Sequence, residues 1–229
     1  MSDIVNMFNR IAPRYDVLNR TLSFGQDMLW RKRVAKAVAK HKVTSYLDVA
    51  TGTGDLLFDV VAKLPRVARA VGLDPASAML ARARAKAAQS ILVTPEFVLG
   101  DALTLPFEDD SFDAVTVGFG LRNMASLDGA LREMRRVLKP GGRLYVLEFS
   151  LPRRRWVRWP YMLYFRHLLP TIGGVVSGDA LAYRYLNKSV ESFPHGDAMA
   201  QILRGADFRN VSTQELTLGI ASLYVGEKC

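Results

Sequence analysis

Three acids and a glycine-rich turn are the residues whose types and spacing most readily imply chemistry. The segment Asp48-Val49-Ala50-Thr51-Gly52-Thr53-Gly54-Asp55 follows an apolar stretch and carries two glycines two residues apart. Glycines there let the backbone approach a ligand closely, and a helix starting next to them offers free amides. The third glycine of a dinucleotide fingerprint would fall at Leu57, so the spacing does not describe a pyrophosphate binder. Asp48 and Asp55 add negative charge around the loop, which suits a cationic ligand better than phosphates. Asp74 ends a second apolar stretch, 20 residues past Gly54. An acid in that place accepts both hydroxyls of a ribose, or caps the helix that Pro75 opens. Asp101, after Phe97-Val98-Leu99-Gly100, is either a loop acid or an acceptor for an adenine amino group.

The elements that must position these residues follow from periodicity. Residues 28–40 predict a basic helix, with Leu29, Val34, Ala37 and Val38 toward the core. Residues 45–50, 70–74, 97–99, 112–117 and 144–147 predict five strands, and the apolar run of the fourth suggests burial on both faces. Between them, Leu56, Leu57, Val60, Val61 and Leu64 recur at helical spacing, residues 79–88 read as a further helix, and Leu131, Met134, Val137 and Leu138 form one helical face. Lys139-Pro140-Gly141-Gly142 stops the last of these, because proline lacks the amide donor and glycine permits the turn. Strand–helix alternation of this kind implies right-handed crossovers, a parallel sheet, and ligands at the carboxyl ends of the strands. Residues 151–195 break the pattern and read as an insertion. Residues 211–218 and 220–226 then predict an antiparallel hairpin joining the sheet edge.

Composition narrows the class. Of 229 residues, 49% are hydrophobic and 23% charged, which argues against a disordered or fibrous chain. Lysine and arginine exceed acids by 31 to 22, and the net charge of +9 points to an anionic partner: nucleic acid, a phosphorylated ligand or an anionic membrane surface. The single cysteine, Cys229, excludes an intrachain disulfide and a cysteine metal cluster, and His41, His167 and His195 are too widely spaced for a recognisable metal site, so no metal is expected. No secretory signal opens the chain. The best candidate span, residues 161–176, is too short to cross a bilayer and is interrupted by Arg166, His167, Pro170, Gly173 and Gly174. A cytoplasmic protein with at most peripheral membrane contact, at the inner face, is the expectation.

The set Gly52/Gly54, Asp74 and Asp101, each after a successive strand, resembles the class I S-adenosylmethionine-dependent methyltransferases over roughly residues 45–150. Two longer segments narrow the resemblance. Tyr15-Asp16-Val17-Leu18-Asn19-Arg20-Thr21-Leu22-Ser23, continuing to Trp30, resembles the N-terminal signature of the ubiquinone/menaquinone biosynthesis C-methyltransferases. Arg136-Val137-Leu138-Lys139-Pro140-Gly141-Gly142-Arg143-Leu144-Tyr145-Val146-Leu147-Glu148-Phe149-Ser150 resembles their second signature. Phe119-Gly120-Leu121-Arg122-Asn123 and Ser177-Gly178-Asp179, with Tyr183 and Tyr185 behind, are also family-like, so the resemblance spans nearly the whole chain.

That resemblance implies an α/β fold of the class I methyltransferase, Rossmann-like kind. Its mostly parallel seven-stranded sheet would carry helices on both faces, N-terminal helices and an insertion before the last strands. The chain divides accordingly into one domain with a helical cap (1–44), a cofactor core (45–150), a substrate- and membrane-facing insertion (151–195) and a C-terminal helix and hairpin (196–229). S-adenosylmethionine is the implied cofactor. Thr53, Asp74, Asp101 and Ala102 match the family's contacts to it, with Gly52, Gly54 and Asp48 around the loop. A further contact, often a serine, falls at Gly118, where only backbone can serve. The first signature often carries histidine where this chain has Asp27, a difference that leans toward the menaquinone pathway.

The implied substrate is a demethylated quinol with a long isoprenoid tail, whose ring carbon attacks the sulfonium methyl. Positioning carries much of such a displacement, and removing the ring hydroxyl's proton supplies the rest. Arg122 and Asn123, just beyond the fourth strand, are the catalytic candidates. Arg122 would stabilise a developing phenolate or else pair with a structural acid, and Asn123 would orient the hydroxyl or a water. Tyr15, Tyr183, Tyr185, Asp179 and His195 are weaker candidates. The stretch Arg153-Arg154-Arg155-Trp156-Val157-Arg158-Trp159-Pro160 suits RNA, a lipid interface or a solvated face, and the greasy run after it suits an isoprenoid tail or a core helix. C-methylation of demethylmenaquinol at the membrane surface, without nucleic acid, is the first reading, and a homodimer is left open. A benzoquinol of the ubiquinone pathway is the nearest alternative. An RNA methyltransferase and a non-catalytic basic binding protein stand further off.

Overall fold

A computed structural model of the chain describes residues 2–89, 94–168 and 180–229. Three N-terminal helices, α1 (Ser2–Ile11), α2 (Tyr15–Leu22) and α3 (Gln26–Val38), precede an alternating core. The core runs β1 (Ser45–Val49), α4 (Asp55–Val61), β2 (Arg69–Asp74), α5 (Ser77–Ala87), β3 (Glu96–Leu99), β4 (Phe112–Gly118), α6 (Leu127–Val137) and β5 (Leu138–Phe149). After it come α7 (Arg155–Leu163), continued by a π-turn at Tyr164–Leu168, then α8 (Ala180–Ser192), α9 (Asp197–Gly205), β6 (Phe208–Leu216) and β7 (Ala221–Lys228).

The seven strands form one sheet in the order β3-β2-β1-β4-β5-β7-β6. The first five pair in parallel, while β7 runs antiparallel to both β5 and β6. Side chains alternate across the pleat, so one sheet has two apolar faces. Leu47, Val49, Val71, Val115, Val117 and Val146 face the cluster filled by α6 and α9. Tyr46, Ala70, Ala114, Tyr145 and Leu147 face the cluster filled by α3 and α4. The expected five strands, the helical face Leu56 to Leu64 and the C-terminal hairpin are all present, the hairpin strands beginning at Phe208 and Ala221.

One core assignment is corrected. Helix α3 starts at Gln26, and its buried face is Trp30, Arg31, Val34, Ala35 and Val38, whereas Leu29 is 57% exposed. Val34 and Val38 are buried as expected and Ala37 packs on the same cluster, so only Leu29 is misplaced; the buried Arg31, offset by three carboxylates, is invisible to a hydrophobic-period count. No helix among the described residues is long and apolar enough to cross a membrane.

Candidate functional site

The strand order reverses between β1 and β4, and ligands of open α/β sheets bind beyond the carboxyl ends of the strands at such a switch point. Both strand ends are backbone-strained here. Ala50 has φ +54° and Phe119 φ +57°, a region bulky residues seldom occupy, and such outliers gather at functional sites. Gly120 is required because a Cβ on it would lie 2.6 Å from the Cβ of Ala50. Between these loops runs a narrow cleft of about 80 Å³, lined by Gly52, Asp74, Asp101, Ala102, Gly118, Phe119 and Asn123, with Ile4, Val5 and Phe8 of α1 over it.

Asp74 organises the cleft. Its Oδ2 accepts the Gly52 amide at 2.8 Å and its Oδ1 the Ala76 amide at 2.8 Å, so it ties the glycine loop to the start of α5. Both readings of Asp74 hold in part: it bonds an amide at the helix entry and still lines the cleft. Burial pushes its pKa up to about 6, against those two amides. Asp101 is held by the Leu103 amide at 3.0 Å and lines the cleft beside Ala102.

The remaining loop candidates sit behind it. Thr53 is 2% exposed and donates to Asp16 Oδ1 at 2.6 Å. Neither Thr53, Gly54 nor Asp48 lines the cleft. Asp48 is buried beneath the loop, accepting hydrogen bonds from Thr51 and Thr116, and Thr116 is bonded in turn to Tyr46. Burial drives the Asp48 pKa up to about 7, opposed by those bonds. Asp55 is paired with Lys86 at 2.6 Å and with Arg31 at 3.2 Å. The negative charge expected from Asp48 and Asp55 is therefore corrected downward: one carboxyl is half-neutralised by burial, the other by cations.

A second, larger cavity of about 600 Å³ adjoins the cleft. Phe8, Tyr15, Phe119 and Asn123 line both. Its wall is apolar, built from Leu18, Trp30, Phe149, Tyr161, Phe165 and their neighbours, and Trp30, Phe119 and Phe149 meet ring to ring at 4.5–6.1 Å. Arg122 is the cation on this wall that the sequence singled out. Its Nη1 donates to Glu148 Oε1 at 2.7 Å and to Phe119 O at 2.5 Å, and its guanidinium carbon lies 5.2 Å from the Phe149 ring centre. Glu148 is 1% exposed, so Arg122 does pair with a structural acid. Its Nε, however, is buried with no hydrogen-bond partner among the described residues. Asn123 Oδ1 accepts from Tyr185 at 3.1 Å, which brings α8 to the same wall. Asp27 lines this cavity paired to Arg31 at 2.7 Å.

His195 lines neither cavity. Ser177, Gly178 and Asp179, and the side chain of Tyr183, lie outside the described residues. Among the described residues, no group of three or more His, Cys, Asp or Glu could hold a metal. Sequence reasoning missed Glu148, although a carboxylate directly after the apolar run 144–147 was a signal that a cation must meet it. It also missed α1, whose apolar face covers the cleft through nothing but tertiary packing.

The cleft's chemistry fits a nucleoside: a carboxylate at each of two successive strand ends and a backbone cradle at Gly52 and Gly118. Small-molecule sites typically span about 300–1,000 Å³, and the cleft, at about 80 Å³ with α1 packed over it, is smaller than that range.

The profile of the ubiE/COQ5 methyltransferase family matches residues 2–228. A protein named demethylmenaquinone methyltransferase from Thermus thermophilus is 47% identical, covering 97% of this chain and 100% of that relative. One of the same name from Deinococcus radiodurans is 48% identical, over 98% of this chain and 92% of the relative. A relative from Geotalea daltonii named ubiquinone/menaquinone biosynthesis C-methyltransferase UbiE is 43% identical, over 98% and 96%. Among solved structures, a SAM-dependent methyltransferase from Thermotoga maritima superposes with a TM-score of 0.68 at 19% identity, over 98% of this chain and 99% of that one. The [4+2]-cyclase SpnF reaches the same TM-score, 0.68, at 18% identity, over 98% and 94%. Structural likeness at these identities establishes the fold alone.

Proposed function

The chain belongs to the ubiE/COQ5 methyltransferase family, and from that premise we propose that it C-methylates demethylmenaquinol to menaquinol, with S-adenosylmethionine as methyl donor. When bound, S-adenosylmethionine supplies an electrophilic sulfonium methyl group. The observation that carries the reading is the shared wall: a narrow cleft bearing Asp74 and Asp101 and a large apolar chamber share Phe8, Tyr15, Phe119 and Asn123.

The residues divide the work by position. Asp74 accepts the ribose hydroxyls on the lone pairs its two amide bonds leave free, and Asp101 faces the base. The aromatic wall excludes water and holds a flat ring by its faces. Arg122 Nε is a buried donor without an acceptor among the described residues, and a ring oxygen in the chamber is the group that satisfies it. As that oxygen gains negative charge, Arg122 stabilises it, while Glu148 and the Phe119 carbonyl keep the guanidinium in place. Asn123, held by Tyr185, orients the hydroxyl. The enzyme works on the cytoplasmic side and meets its tailed substrate at a bilayer surface. A benzoquinol ring is the second reading, supported by the UbiE name of the Geotalea relative.

The test is methyl transfer from labelled S-adenosylmethionine to each reduced quinone in turn. The proposal expects label in the naphthoquinol ring. Cofactor binding without transfer to either ring would sink it.

A further inference from the structure

Among the described residues nine large apolar side chains are exposed, and several of them surround one opening. Phe24, 78% exposed, Trp156, 66%, and Leu218, 56%, all line the mouth of the large cavity, although they come from the α2–α3 turn, from α7 and from the β6–β7 turn. Two of them stand on strained backbone: Phe24 has φ +51° and Leu218 φ +59°, with Thr217 beside it at +45°. Asparagine or glycine would sit there at far less cost, so the fold is holding bulky apolar groups outward against both solvation and conformational preference. The rim is tied together. Thr217 bonds Gln26 at 2.9 Å and Trp30 at 2.8 Å, Tyr164 bonds the Leu22 carbonyl at 2.7 Å, and its ring lies 5.7 Å from that of Phe24.

Helix α7 has three faces. Val157 and Tyr161 turn inward onto the cavity. Trp156, Trp159, which is 71% exposed, and Leu163 recur at helical spacing on the outer side. Arg155 and Arg158 stand on a third, with Arg154 preceding the helix, and all three are exposed. Arg153 is not part of this basic set: it bonds Asp197 and Glu215, each at 3.1 Å, and serves the fold.

We propose that Phe24, Trp156, Trp159, Leu163 and Leu218, with Arg154, Arg155 and Arg158 beside them, form the face by which this protein docks on an anionic phospholipid bilayer, mouth downward. The partner's class follows from the rim. Tryptophan favours the headgroup layer, the arginines complement anionic headgroups, and the apolar side chains are continuous with a cavity that a lipid-dissolved tail must enter. The identity of that tailed molecule rests on the function proposed above; the docking face does not.

The native fluorophores report on it. Trp156 and Trp159 are exposed, and Trp30, 4% exposed, is the internal reference. Purified protein is titrated with phosphatidylglycerol vesicles carrying brominated lipid, and separately with phosphatidylcholine vesicles. Quenching of the exposed pair by the anionic vesicles, lost at high salt, is the expected result. Trp159→Ser with Leu163→Ser should lower partitioning about tenfold or more, and Arg154, Arg155 and Arg158→Gln should abolish the salt dependence. Both variants should methylate a short-tailed, water-soluble quinol at the normal rate and slow down on the long-tailed one. Absence of anionic-vesicle binding by the unaltered protein, tighter binding to an RNA oligonucleotide than to vesicles, or unchanged partitioning in the variants would overturn the docking face. Vesicle binding without methylation of any quinol would overturn the proposed function and leave the docking face standing.

Discussion

Glu148→Ala tests whether Arg122 is built into the fold by a single acid. Glu148 is 1% exposed, and the Arg122 side chain is 8% exposed, so neither charge has much access to water. Removing the carboxylate strands the guanidinium and also orphans the Phe149 amide, which bonds Glu148 Oε1 at 2.9 Å. Breaking a buried ion pair from one side costs about 3–5 kcal/mol. For a domain of this size about 1 kcal/mol lowers Tm by about 2–4 °C, which puts the loss at roughly 6–20 °C. Arg122→Met with Glu148→Leu removes both charges and keeps apolar volume, so the double variant should recover most of the stability. The cycle of Arg122→Met, Glu148→Leu and the double variant, followed by urea unfolding, yields a coupling energy of about 2–3 kcal/mol. A Glu148→Ala protein within about 1 kcal/mol of the native one, or a cycle that is simply additive, would refute the reasoning. It would mean that Phe119 O and the Phe149 ring hold Arg122 unaided.

Three other outcomes follow from the site. Under the proposed function Asp74 accepts the ribose hydroxyls as a carboxylate, and its pKa is raised to about 6 by burial, so cofactor affinity should be full above that pH and decline as pH falls through it; calorimetry at pH 7.5 and 5.5 reads this, and Asp74→Ala should be weak at both. Asp48 behaves oppositely for stability: its pKa rises from 3.8 to about 7 on folding, so its contribution is whole below about pH 4 and is lost as pH climbs to about 7, a swing of order 4 kcal/mol. Asp48→Asn should consequently cost less at pH 8 than at pH 5, and an equal cost at both would show that the carboxyl is charged when buried. Arg122→Ala should leave cofactor affinity unchanged and lower kcat, because its partner oxygen gains charge only on the way to the transition state; lost affinity with intact turnover would assign it to the wrong cavity.

The cleft was legible in the sequence to the extent that it is local. Gly52, Asp74 and Asp101, which line it, lie next to apolar runs of strand length, and a parallel sheet necessarily sends such strand ends to one edge, whereas Asp48 and Gly54, read from the same pattern, fall behind it. Helical spacing likewise marked Leu56 to Leu64 and Leu131 to Leu138 as core, because burial of one helix face is written at a period of 3.6. What depends on which groups meet across the fold was not legible. The pairing of Arg122 with Glu148 joins the ends of β4 and β5. Asp48 is held under the loop by burial, and Asp55 pairs with Lys86 and Arg31, brought from α5 and α3. Of four arginines in one basic stretch, Arg153 alone forms ion pairs among the described residues, because α9 and β6 place Asp197 and Glu215 beside it. Composition had to count all four as equivalent, since charge is a property of residues and neutralisation a property of their neighbours. The meeting of the cleft that holds Asp74 and Asp101 with an apolar chamber across Tyr15 and Phe119 is of the same kind: packing of α1 and α2 over the strand ends creates it, and no spacing along the chain records it.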